Sequence, residues 1–359
     1  MTPERLQQIE TLYNDALTLP VHERTAFLDR ACGNDADLRR EIESLLAYEQ
    51  QAGPYMERTA EHLVAESLAE HGTELLVDRT LGRYQLLSLV GRGGMSEVYC
   101  GVDSRLNRLV AVKVLPTYMA EDREQSDRFE QEARAIAALN HPHICTLHDA
   151  GSDGGRHYLV FEYLIGELLS DRLFRGALSL PEGIDFAIQI ADALAHAHEQ
   201  GIIHLDLKPR NIMLTRTGVK LLDFGIAELR YPDTSKPAGA PLKLSAVDPS
   251  VTAPRGTLGY MAPEQIETRE TDARTDIFGF GVVMYEMFTG QFAFPGSTPD
   301  IVAASVLSGD PPPPSQIQPA VPPAVDFVVA RCLAKHPSER WQSISEVLPK
   351  LREIRVTRQ

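Results

Sequence analysis

The stretch His204-Leu205-Asp206-Leu207-Lys208-Pro209-Arg210-Asn211, followed by Asp223-Phe224-Gly225, decides how this chain is read. It sets two carboxylates, a lysine and a carboxamide close together among apolar neighbours. The texture differs on its two sides. Upstream, YQLLSLV (84–90), EVYCGVD (97–103) and LVAVKVL (109–115) are short β-rich runs between Gly-rich or polar turns, the pattern of an antiparallel meander. A helical segment from Asp127 to Leu139 follows, then two more apolar runs, ICTLHDA (144–150) and HYLVFEY (157–163). Downstream, helical periodicity dominates at 181–200, 275–290, 298–308, 323–334 and 342–354. The plan is α+β: a small β-rich lobe, then a larger helical one. Residues 231–254 carry five prolines among Ser, Ala and Gly and read as a loop. Pro311–Pro314 lies between two helical segments and reads as an internal loop.

Further upstream, Gly91-Arg92-Gly93-Gly94-Met95-Ser96-Glu97-Val98 joins two of the expected strands. Glycines there let backbone N–H groups approach phosphate oxygens that a Cβ would obstruct. A strand follows this loop, which argues against a dinucleotide fold, where a helix would follow. Ser96 stands where a third glycine of G-x-G-x-x-G is expected, and its small side chain still permits close approach. Lys113 sits inside the apolar run Val110-Ala111-Val112, where a cation is costly without an anionic partner. Glu132 on the next helix is one candidate partner, and phosphates are another.

With Ala262-Pro263-Glu264 these motifs occur in one register, and the chain resembles the eukaryotic-type protein kinase superfamily in its bacterial serine/threonine branch. The resemblance covers residues 84–354. It implies a bilobal fold, with an N-lobe over about 84–164 and a C-lobe over about 165–354. It implies ATP and Mg²⁺ as cofactors, with Mn²⁺ as a substitute, and protein substrates with Ser or Thr acceptors, the chain itself included. Lys113, held by Glu132, would contact the α- and β-phosphates, and the loop from Gly91 to Val98 would cover them. Asp223 and Asn211 would bind the metal, Asp206 would accept the hydroxyl proton, and Lys208 would neutralise the γ-phosphate. Val90, Val98 and Ala111 would roof the adenine and Met213 would floor it. Phe161 would be the gatekeeper, with Glu162 and Leu164 supplying hinge hydrogen bonds.

The same resemblance assigns supporting roles. Ile136, Leu147, His204 and Phe224 match the stacked residues that link the lobes. Asp276 matches an anchor of the catalytic-loop backbone, and Glu264 with Arg340 an ion pair bracing the segment after the activation loop. That segment runs from Asp223 to Glu264, includes Phe224, Gly225 and Thr257, and contains Ser245, Ser250 and Thr252 as candidate phosphorylation sites. Leu205 departs from the family pattern, which often has Arg before the catalytic Asp to pair with a phosphate on this loop. Two other readings share these residues: a pseudokinase scaffold and a small-molecule phosphotransferase of related fold. All five key polar residues being present counts against the first. Lys208 and the Ala262-Pro263-Glu264 platform for a peptide substrate count against the second.

Composition bounds the rest. The 359 residues carry 35 Lys+Arg against 50 Asp+Glu, a formal charge of −15, which argues against nucleic acid or an anionic membrane as partner. Residues 1–80 hold 7 Arg, no Lys and 16 acids, a net −9. They read as a helical N-terminal regulatory or interaction region, with helices from Thr2-Pro3-Glu4, around Ala26–Ala31, from about Asp35, and over Tyr55–Glu70. Such acidic helices either dock on the kinase domain or pair two chains as a homodimer. No run of 18 apolar residues marks a membrane segment, and MTPERLQQIE lacks a secretory pattern. Cys32, Cys100, Cys145 and Cys332 have no paired spacing, so a reducing, cytoplasmic setting is expected.

Overall fold

The computed structural model describes residues 27–28, 30–32, 35, 38–39, 76–93, 96–115, 123–224 and 258–356. The chain divides into two compact units, residues 1–75 and 76–359. In the first, Leu28, Cys32 and Leu38 are buried, and Asp35 Oδ1 accepts the Leu38 amide at 3.0 Å, as an N-cap does. The helices expected at Thr2-Pro3-Glu4 and Tyr55–Glu70 lie outside the described residues.

The second unit begins earlier than the composition suggests. Leu76 is buried, and β1 (Thr80–Leu81) pairs with β2 (Tyr84–Gly93), so residues 76–83 belong to the β-rich lobe. The sheet continues through β3 (Ser96–Asp103), β4 (Arg108–Val114), β5 (Leu147–Asp153) and β6 (Arg156–Glu162), in the order β1-β2-β3-β4-β6-β5. Every pairing in it is antiparallel. Its two faces follow the alternation of β4. Val110, Val112 and Val114 join Leu76, Leu81, Tyr84, Leu86, Tyr99, Tyr158 and Val160 in one apolar cluster. Ala111 and Lys113 turn to the other face, opposite Phe161 and Leu159 of β6, which belong to the main core.

Helix α1 (Arg123–Ala137) starts four residues before the expected Asp127 and joins the same core through Phe129, Ala133 and Ile136. The helical lobe is built on α2 (Leu169–Phe174), α3 (Leu180–Glu199), α4 (Pro263–Ile266), α5 (Ala273–Thr289), α6 (Pro299–Ser308), α7 (Pro314–Ile317), α8 (Pro323–Cys332) and α9 (Val347–Val356). Pro314 opens α7, so the proline run is a connection inside this lobe. A three-stranded sheet of β7 (Gly166–Leu168), β8 (Ile212–Thr215) and β9 (Gly218–Leu221) lies in this part of the chain. Nearly all of α5 is buried, from Thr275 to Thr289, so its apolar run reads as a central helix and not an amphipathic one. Asp272 caps its start by accepting the Arg274 amide, and Gly290 closes it in a left-handed conformation, φ +67°. Among the described residues, no helix is long and apolar enough to cross a membrane.

Candidate active site

The loop from His204 to Asn211 is held by its neighbours through several of its backbone groups. Asp276, buried on α5, accepts the His204 amide on Oδ2 and the Leu205 amide on Oδ1, both at 2.8 Å. The His198 ring adds a 2.7 Å contact to the same carboxylate. His204 Nε2 donates to the Leu222 carbonyl at 2.9 Å while Nδ1 accepts the Asp206 amide at 3.3 Å, which defines the Nε2–H tautomer. Leu205 and Asp223 both take positive φ, +61° and +59°, which a side chain adopts only where its surroundings enforce it.

These constraints gather the polar side chains. Lys208 Nζ lies 2.8 Å from both oxygens of Asp206. Asn211 Nδ2 donates to the Asp206 carbonyl at 2.8 Å and to Oδ2 at 3.0 Å. Lys113, 2% exposed, forms an ion pair with Asp223 Oδ1 at 2.7 Å. The sequence pairs Lys113 with Glu132, whereas the structure brings this lysine to Asp223; Glu132 is half-buried on α1, with Oε2 shielded from solvent. The His204 and Phe224 rings lie 4.6 Å apart, and Ile136, Leu147 and Phe224 share one core spanning both lobes.

The Gly-rich hairpin pairs Gly91 with Val98, Arg92 with Glu97 and Gly93 with Ser96. Arg92 and Glu97 form an ion pair, and Tyr99 Oη donates to Glu97 at 2.5 Å. Burial and that carboxylate push the Tyr99 phenol up to about 12. A Cβ on Gly91 would meet nothing within 4 Å, so there is open space beside the backbone at that position. Of the residues expected around the adenine, Phe161 is buried, Val98, Ala111, Leu164 and Met213 are half-buried, and Val90 is exposed. Burial raises the Glu162 carboxyl, but hydrogen bonds from Lys220 at 2.6 Å and the Thr146 amide at 2.8 Å bring it below its ordinary value. The Glu162 amide is spent on the Thr146 carbonyl at 2.9 Å, and its carbonyl accepts a long contact from Cys145 Sγ at 3.9 Å. Gly94, Met95, Gly225, Ser245, Ser250, Thr252 and Thr257 lie outside the described residues.

The donor set fits a hard divalent cation. Asn211 uses Nδ2 internally, so its carbonyl oxygen is the group left to bind, and Asp223 supplies a carboxylate. Oxygen donors of this kind suit Mg²⁺ or Mn²⁺.

Beside this cluster, Glu264 and Arg340 form the platform brace. Arg340 is fully buried and meets both Glu264 oxygens at 2.7 Å. Its three other N–H groups reach the carbonyls of Ala334, Arg274 and Lys335. All five donors are satisfied, the condition under which a buried ion pair is tolerated.

Residues 84–350 match the protein kinase domain family. The chain belongs to that family. Its kinase domain is 40% identical over 271 residues to the serine/threonine-protein kinase PknB of Mycobacterium leprae, covering 74% of this chain and 42% of the relative. It is 33% identical over 275 residues to PrkC of Bacillus subtilis, covering 76% and 40%. The chain thus spans about two-fifths of the length of the curated relatives it matches. Among solved structures, the kinase domain of Mycobacterium tuberculosis PknI superposes with a TM-score of 0.59 at 28% identity, covering 78% of this chain and 99% of that one. Two features of the kinase domain escaped the sequence reading, the Lys113–Asp223 pair and the bond from Gln265 Nε2 to the Leu205 carbonyl at 2.8 Å. Neither leaves a signal in residue spacing, because each joins segments remote in the chain.

Proposed function

We propose that this chain is an ATP- and divalent-metal-dependent serine/threonine protein kinase. The observation that carries the reading is the Asp206–Lys208–Asn211 cluster, held on a clamped loop, together with a buried lysine paired to Asp223. Asn211 and Asp223 would hold a divalent ion, Mg²⁺ or Mn²⁺, which would supply charge neutralisation for the phosphoryl group donated by ATP. Asp206 orients the acceptor hydroxyl and takes its proton. Lys208 pairs with that carboxylate and offers a cation to the transferred group. Lys113 positions the phosphates, with the Gly91–Val98 hairpin over them, and Val90, Val98, Ala111, Phe161, Glu162 and Leu164 with Met213 enclose the base. Lys208 and, by resemblance, Thr257 favour Ser and Thr acceptors, on other proteins and on the chain itself. The acidic residues ahead of the kinase domain serve regulation or interaction, by docking on that domain or by pairing two chains.

Transfer of labelled phosphate from ATP to a generic protein substrate tests the reading. Asp206→Asn is expected to abolish transfer while nucleotide still binds, and Lys113→Met to weaken productive nucleotide binding. Near-wild-type turnover in Asp206→Asn, with contaminating kinase excluded, rules the assignment out.

A further inference from the structure

The left-handed backbone at Leu205 directly precedes Asp206, so whatever holds that peptide also aims the carboxylate. Asp276 holds the amides of His204 and Leu205, His204 holds the amide of Asp206, and Asn211 holds the carbonyl of Asp206. The Leu205 carbonyl is held as well, since Gln265 Nε2 donates to it at 2.8 Å. The carboxamide is fixed from its other end, where Gln265 Oε1 accepts the Ala262 amide at 2.9 Å. Gln265 belongs to α4, and the residue before it, Glu264, is locked to Arg340. The side chain at position 205 is a leucine, without charge or hydrogen-bonding atoms, so its main chain alone can link the loop to α4.

We propose that Gln265 is a positioning residue for phosphoryl transfer. It ties the main chain before Asp206 to the platform formed by α4, so that the carboxylate and the acceptor segment keep one geometry. The inference rests on Asp206 being the residue that receives the hydroxyl proton. It concerns the transfer step and not nucleotide binding, because the Gln265 side chain is hydrogen-bonded to the Leu205 carbonyl and the Ala262 amide, neither of which belongs to the Gly-rich hairpin or to Lys113. Without the tie, the loop keeps its Asp276 anchor but gains freedom at the peptide adjoining Asp206. Small displacements of a reacting group are expensive in rate.

Two variants of the full chain test this. Gln265→Glu keeps the shape and the acceptor for Ala262 but sets a carboxylate oxygen against the Leu205 carbonyl. Gln265→Met keeps the length and removes both bonds. For each, kcat and KM for a peptide substrate are measured beside the affinity for a fluorescent ATP analogue and the urea midpoint. The expected result is a fall in kcat of about tenfold or more in both variants, with nucleotide affinity and midpoint close to wild type. A kcat within about twofold of wild type in both overturns the proposal. So does a loss of nucleotide affinity and midpoint in step with kcat, which marks a merely structural role. Asp206→Asn in the same assay keeps the two ideas apart. If it is inactive while Gln265→Glu turns over normally, only the positioning role fails; if it turns over normally, the base assignment fails and takes the positioning role with it.

Discussion

Arg340 illustrates how one side chain can be indispensable without touching the reacting atoms. Its guanidinium is fully buried, yet each N–H has an acceptor and the fork meets Glu264 with both arms. The Phe278 ring, 5.0 Å from the guanidinium carbon, closes one face. Replacing it by methionine leaves Glu264 buried opposite an uncharged neighbour. Arg340→Met is therefore expected to cost about 3–5 kcal/mol in urea unfolding, since breaking a buried pair strands the remaining charge. The double variant Arg340→Met/Glu264→Gln should recover part of that loss, because the stranded charge is gone. A single-variant cost below about 1 kcal/mol would contradict the account, as it would place the pair in the range of surface ion pairs. Lysine would be a poor substitute, having three donors where five are used.

At the scale of elements, the connection from α1 to β5 carries an imidazole cluster that fastens it to the helical lobe. His141 Nδ1 accepts the His143 amide at 3.2 Å, so Nε2 carries the proton and faces Asp192 on α3 at 3.2 Å. The His141 ring stacks on His196, also on α3, at 5.2 Å and meets His143 edge-on at 5.5 Å. His143 Nδ1 reaches the Val219 carbonyl on β9 at 3.0 Å, and Arg352 of α9 approaches Asp192 at 4.0 Å. Burial lowers the His141 value below its ordinary 6.5; Asp192 opposes the change, and the neighbouring imidazoles add to it. A folded value below the unfolded one means that the stabilising, neutral form is fully present above about pH 6.5 and is lost as pH falls through the folded value. The urea midpoint of the wild type should accordingly drop between pH 7.5 and pH 5.5. His141→Gln, which keeps a donor for Asp192 but does not titrate, should drop less. Equal drops in the two proteins would show that this ring is not the group that takes up the proton.

For the whole molecule, the boundary between the two units makes a prediction about length. All the polar residues of the site lie in the unit that begins at Leu76. Leu76 itself is 3% exposed in the outer cluster of the β-rich lobe, and its amide donates to Tyr99 Oη at 3.3 Å. A chain beginning at Leu76 should fold and transfer phosphate. One beginning at Asp78 should still transfer phosphate but unfold more readily, by about 1.5–3 kcal/mol for the lost leucine burial. Matching urea midpoints for the two would place Leu76 outside the fold. Inactivity of a well-folded chain beginning at Leu76 would move part of the chemistry into the acidic N-terminal region.

The sequence by itself determined the family, the order of the lobes and the identity of the polar side chains, because phosphoryl transfer restricts residue type at spacings that survive as local motifs. Periodicity likewise placed α3, α6 and α8 to within a few residues, since apolar repeats report which face of a helix is buried. It did not show that Thr80–Leu81 enter the sheet, because a two-residue strand carries too little pattern to separate it from a linker. Nor did it show which carboxylate meets Lys113, or that a carboxamide on α4 closes the last backbone group before Asp206. Those pairings join residues that are far apart in the chain, and their choice of partner depends on distance and burial. Only the packed tertiary structure decides them, by excluding water and setting which polar groups come within reach of one another.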